Sequence, residues 1–139
     1  MGLVHAEIEL VNSGDMFMFN KGLITADKVH RIKVIALVDT GAYTLAINES
    51  IKNQLDLPVI GEGPATLANG DEILLEIVGP VEVRFENRTA NVDAIVLPGE
   101  NEILFGAIPM EAMDVLVDPR NQRLIVNPKH PYKAGFVLK

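Results

Sequence analysis

At 139 residues the chain fits one domain, and 48% hydrophobic with 22% charged residues supplies enough apolar content for a packed core rather than global disorder. The absence of cysteine removes disulfides, thiolate zinc sites and cysteine nucleophiles together. A formal net charge of -7 argues against nucleic acid, whose phosphates require a lysine and arginine footprint.

No apolar run reaches the ~18 residues of a membrane span. Met1 to Glu7 lacks the basic and long apolar regions of a signal peptide. The expectation is a soluble, cytoplasmic protein with neither membrane nor nucleic acid as partner. No composition shift or low-complexity stretch marks a boundary, so one domain is expected over 1–139, with a core over about 4–126 and a tail over 127–139.

Val4 to Val11 alternates apolar and polar residues and predicts a strand. Asn12-Ser13-Gly14-Asp15 is a turn cluster, and Met16 to Ala26 reads as a small hairpin. Within it, Met16, Phe17, Met18 and Phe19 form a dense apolar group, suited to core packing or to a binding lip. Arg31 to Val38 begins in alternation and ends in a continuous apolar run, as a strand entering a core does. It stops at Asp39-Thr40-Gly41-Ala42.

Thr44 to Ile47 predicts a short strand. Asn48 then caps a short helix over Glu49 to Leu55. Gly61-Glu62-Gly63-Pro64 reads as a loop. Ala65 to Leu67 and Glu72 to Val78 flank Ala68-Asn69-Gly70-Asp71, and Asn-Gly between apolar runs is a strong hairpin signal. Gly79-Pro80 reads as a break. Val81 to Phe85 is a strand, Asn87-Arg88 a turn, Ala90 to Leu97 a strand and Pro98 to Asn101 a loop. Ile103-Leu104-Phe105-Gly106 is an apolar strand closed by glycine, followed by a helix over Ile108 to Asp114 with proline near its start. Val115 to Val117 and Arg123 to Val126 are strands around a turn at Asp118 to Gln122. The tail from Asn127 carries Pro128 and Pro131 and is expected along the surface. Many short strands with turn signals every eight to twelve residues predict an all-β barrel or sandwich with one or two short helices.

Several chemistries find no support. His5, His30 and His130 share no metal-ligand spacing. Ser13 and Ser50 lie outside any nucleophile elbow. Gly61-Glu62-Gly63 lacks the lysine of a phosphate loop. Asn87-Arg88-Thr89 matches a glycosylation sequon but reads as a turn. Asp71, Glu72 and Glu76 read as a solvated face, and Asp118 as a turn residue.

Asp39-Thr40-Gly41-Ala42 is different, because it follows the most apolar strand. A carboxylate at the end of a buried strand is partly desolvated. Glycine lets the backbone turn sharply and bring its N–H close to that carboxylate. Asp-Thr-Gly alone is also a good turn by composition. Its context decides. Ala36-Leu37-Val38-Asp39-Thr40-Gly41-Ala42, the Leu67-Ala68-Asn69-Gly70-Asp71 hairpin and Ile103-Leu104-Phe105-Gly106 with its helix occur in one order. Together with Asp114 to Pro119, they resemble the retroviral-type, or retropepsin-like, aspartic peptidases and their bacterial relatives, over roughly Val4 to Val126.

The resemblance implies an acid-protease barrel with one flap hairpin per chain and no cofactor or metal. It implies Asp39 as the catalytic acid, supported by Thr40, Gly41, Ala42 and Gly106. It places Ala68, Asn69, Gly70 and Asp71 in a flap over a peptide or protein substrate. The chain has one Asp-Thr-Gly, so the implied active site takes one aspartate from each chain of a homodimer. Two such chains carry -14, twice the -7 of one, which calls for an apolar interface; Val115 to Val126 is the expected contributor. The alternative is a peptide-binding or assembly module of the same fold with little or no turnover. The chain departs from the viral pattern at Tyr43 and Thr44, where viral members carry acids, and at Ala107, where they carry the arginine that pairs with one of them. An apolar contact is expected in its place.

Overall fold

Residues 3–99 and 102–136 are described by the computed structural model. Alternation along the strands builds a barrel. In β1 (His5–Asn12), Ala6, Ile8 and Leu10 point inward while His5 and Glu7 face solvent. β2 (Arg31–Val38) pairs antiparallel with it, and β7 (Ile103–Phe105) runs parallel to β2. β3 (Leu45–Asn48), β6 (Arg88–Leu97) and β5 (Glu72–Phe85) complete the order β1-β2-β7-β3-β6-β5. Pairing of Glu9–Asn12 with Val81–Arg84 returns β5 to β1 and closes the ring. Ile8, Leu10, Leu45, Ile47, Val78, Val81, Val83 and Phe105 fill it, all fully buried. Each contributes ~1.5–3 kcal/mol by leaving water.

Besides β6, β5 serves two partners in turn. Its first half pairs with β4 (Val59–Thr66) in a hairpin that extends beyond the ring, and its second half pairs with β1. Gly79-Pro80 therefore does not break the chain: β5 runs through it, with a register shift against β6 between Val78 and Val81. Gly61-Glu62-Gly63-Pro64 likewise lies inside β4, not in a loop. β4 ends the sheet order, and an edge strand tolerates a proline that cannot donate to a ladder.

The region expected as a hairpin from Met16 is a helix, α1 (Ser13–Asn20). Buried Asn12 nucleates it: its side-chain oxygen accepts the Asp15 N–H at 3.0 Å, while its Nδ2 donates to the Leu55 carbonyl at 2.9 Å and to the Asp56 carbonyl at 3.1 Å. Met16 packs inward, whereas Phe17, Met18 and Phe19 remain exposed. α1 makes three short α-helices with α2 (Glu49–Gln54) and α3 (Ala107–Met113) among the described residues, beside a single 3-10 turn over Ala26–Lys28, where one or two short helices were expected. Asn48 caps α2 as predicted, accepting the Ile51 N–H at 2.9 Å. Among the described residues, no helix is long and apolar enough to cross a membrane.

β8 (Val115–Asp118) and β9 (Arg123–Val126) form a separate hairpin. Glu100 and Asn101 of the predicted loop lie outside the described residues, as do the last three residues of the tail. The described tail is strapped to the hairpin's base. Asp114 leaves α3 in the left-handed region, φ 54°, which aspartate tolerates. Asn127 Nδ2 donates to its Oδ1 at 2.9 Å; the Gly135 N–H, at 2.9 Å, and His130 Nδ1, at 2.6 Å, bond its Oδ2. Arg88, predicted in a turn, instead opens β6 fully buried, with Nη2 donating to the His130 carbonyl. Its Nε and Nη1 find no partner among the described residues.

The Asn127 hydrogen bond, then the Gly135 amide and His130, hold the Asp114 carboxyl down at about 2 from its ordinary 3.8, against partial burial, which raises it. A carboxyl lowered on folding stabilises the protein above its unfolded value and loses that contribution as pH falls through its folded value. The urea midpoint of the wild-type chain should therefore drop between pH about 3.8 and about 2 more steeply than that of Asp114→Asn. Parallel profiles would show that Asp114 does not secure the strap.

Candidate active site

Asp39 continues β2 by one residue: its N–H donates to the Phe105 carbonyl at 3.0 Å. The parallel pairing of β2 with β7 therefore sets its height. The chain then turns. The Ala42 N–H reaches the Asp39 carbonyl at 3.0 Å, and the Gly41 N–H donates to Asp39 Oδ1 at 2.9 Å. The carboxylate is thus half-buried and oriented by a backbone amide, as the glycine predicts. Thr40 is exposed, and its hydroxyl has no partner among the described residues.

Gly106 supports this loop from the other side. It precedes α3 with no side-chain cap. The first free amides of α3 are met by the loop itself: the Ala107 N–H donates to the Ala42 carbonyl at 2.9 Å and the Ile108 N–H to the Tyr43 carbonyl at 3.0 Å. A Cβ on Gly106 would lie 2.3 Å from the Thr44 carbonyl oxygen and 2.7 Å from that of Ala42. These backbone bonds join the two segments where an apolar contact was expected, and Tyr43 is 79% exposed. Thr44 Oγ1 donates to the Asp93 carbonyl at 3.1 Å, tying the loop to β6.

Asp39, Gly41 and Ala42 therefore form one hydrogen-bonded turn that carries Thr40, with Gly106 packed closely against its backbone. Ala68, Asn69, Gly70 and Asp71 form another, at the exposed tip of the β4–β5 hairpin. The Leu67 N–H donates to the Asp71 carbonyl at 2.7 Å, the Asp71 N–H to Asn69 Oδ1 at 2.9 Å, and Gly70 takes φ 91°. No hydrogen bond or ion pair among the described residues joins this tip to the Asp39 loop. At the hairpin's base, Lys52 of α2 donates to Glu76 at 2.8 Å and to Glu49 at 3.4 Å. The Glu76 hydrogen bond is the main reason that Lys52 holds its proton more tightly than usual. Glu76 thus braces the hairpin to α2, a role that its sequence position did not disclose.

An apolar groove of ≈ 510 Å³ runs beside Asp39, lined by Leu3, Val4, Leu37, Val38, Thr40, Val117 and Pro119. It brings the β8–β9 hairpin next to the Asp39 loop. A second pocket, of ≈ 380 Å³, begins at Tyr43 and Thr44 and ends at Ile77, at the base of the β4–β5 hairpin. Asp93 belongs to it. Alternation along β6 places Thr89, Asn91 and Asp93 outward, which the sequence shows, but the pocket comes from α3 packing near that face, which it does not.

Asp39 is thus a half-buried carboxylate fixed by a strand end and a glycine turn, on a barrel from which the β4–β5 hairpin extends. The chain belongs to the gag-polyprotein putative aspartyl protease family, whose model matches residues 27–126, from before β2 through β9. Among solved structures, the solution structure of the simian foamy virus (mac) protease is similar at 15% identity and TM-score 0.47, over 76% of this chain and 91% of that one. The crystal structure of a retropepsin-like aspartic protease from Rickettsia conorii is similar at 15% identity and TM-score 0.46, over 85% and 89%. No curated protein matches the chain significantly.

Gly106→Ala should lower stability by more than ~2 kcal/mol, because its methyl meets backbone rather than a movable side chain. Urea denaturation checks this; an unchanged midpoint would mean that the loop does not depend on this close approach.

Proposed function

We propose that the protein is an aspartic endopeptidase whose active site is assembled from two copies of the chain. The position of Asp39 carries the proposal. It is an acid held by main-chain hydrogen bonds at the rim of a closed barrel, with an apolar groove on one side. Two further features favour a second copy on that side. Thr40, beside it, is exposed with its hydroxyl unpartnered among the described residues, and the adjoining groove is mainly apolar, with Leu3 70% exposed. A symmetric contact would bring the same surface from each copy, including Val117 and Pro119 of the β8–β9 hairpin.

The chemistry follows from two carboxylates at close range. They cannot both ionise, so the pair shares one proton across a bound water. The ionised member takes a proton from the water as it attacks the peptide carbonyl. The neutral member donates to the carbonyl oxygen and stabilises the tetrahedral intermediate. The β4–β5 hairpin closes over the peptide and excludes bulk water.

Asp39→Asn should retain the fold and the dimer while losing about a thousandfold or more of its cleavage of a denatured protein. Sizing chromatography and a peptide-release assay test this together. Retained cleavage by a folded variant would assign the reaction to another group.

A further inference from the structure

The ≈ 380 Å³ pocket beside the Asp39 loop has a composition that the proposed reaction does not use. Tyr43 and Thr44 immediately follow the catalytic loop, while Ile77 stands at the base of the flap hairpin, so the pocket flanks the cleft between them. Ile77, Ile95 and Ile108 make its walls apolar. Asp93 supplies the single charge among its lining residues. The Asp93 carboxylate makes no ion pair or side-chain hydrogen bond among the described residues. It leans on the backbone of Gly79, where a Cβ would lie 2.8 Å from Oδ1. Its backbone is fixed by Thr44 Oγ1 at 3.1 Å.

We infer that this pocket is a specificity subsite for a lysine or arginine side chain of the peptide substrate; the inference rests on the peptidase reading of the cleft. The chemistry selects that class. An aliphatic stem four or more atoms long buries against the isoleucines while its cationic head stays at the polar rim. There it meets an unpaired carboxylate, and the exposed Tyr43 ring offers a further cation–π contact. An acidic residue would be repelled by Asp93, and a short apolar one would leave that carboxylate without a counter-charge.

The test uses octapeptides in pairs, with lysine or its neutral isostere norleucine at one position, moved along the peptide. Binding is read by nuclear magnetic resonance on the Asp39→Asn protein, and cleavage on the wild type. At one position lysine should bind about tenfold tighter than norleucine and shift the amides of Tyr43, Asp93 and Ile108. Adding Asp93→Asn should abolish the difference, bringing lysine peptides to the level of their norleucine partners on the same variant, since the Asp93 backbone carbonyl still accepts Thr44. Asp93→Lys should transfer the preference to glutamate. Absence of a lysine preference at every position, or one that survives Asp93→Asn, overturns the subsite. The two proposals separate cleanly. Cleavage without the preference sinks the subsite alone, whereas Asp93-dependent binding without wild-type cleavage sinks the peptidase and leaves a basic-peptide site.

Discussion

The hydrogen bond from the Asp39 amide to the Phe105 carbonyl, 3.0 Å long, fixes the position of the loop on which everything else depends. It exists because β7 lies between β2 and β3, parallel to the first and antiparallel to the second. Phe105 is fully buried and cannot shift without opening the core. Gly106 then lets α3 start against the Ala42 and Thr44 carbonyls at a separation no other residue allows. The loop is therefore held from below by a strand and from the side by helix amides. Such backbone support is stiffer than side-chain support, and the proposed reaction would need that stiffness to keep the carboxylate oriented.

The same arrangement leaves an apolar groove on one side of Asp39. Thr40 lines that groove, and the β8–β9 hairpin forms its wall. The Asp114 strap holds the base of this hairpin, with Asn127, His130 and Gly135 converging on one carboxylate. The strap thus anchors one end of the hairpin whose other end, at Val117 and Pro119, lines the surface on which a second copy is proposed to dock. An assembly of two acidic chains needs apolar area there to outweigh their mutual repulsion.

Much of the fold was legible because the strands obey period-two alternation; β1, β2 and β6 lie within two residues of where it puts them. The Asn69-Gly70 hairpin and the Asn48 cap were legible for local reasons, since turn and cap geometry demand those residues. What failed was context. Gly61 to Pro64 and Gly79-Pro80 look like breaks in isolation, yet an edge strand and a bent strand with changing partners accommodate them. Asn12 was visible as a turn former, but its second role, donating to the end of α2, depends on contacts 43 and 44 residues away. In the candidate site, Asp39 and Gly106 stood out by motif and order. Asp93 did not, because its setting is created by α3 and β5, far from it in sequence. Arg88 was hidden for the same reason: its Nη2 donates to the carbonyl of His130 in the returning tail, 42 residues away.

Each active site is proposed to need an Asp39 from both chains. Co-refolding wild-type and Asp39→Asn chains in varied proportions and measuring peptide cleavage tests it directly. If two carboxylates share each site, hybrid dimers are inactive and activity falls as the square of the wild-type fraction. A fall in simple proportion to that fraction would show that a single Asp39 suffices and would contradict the shared site.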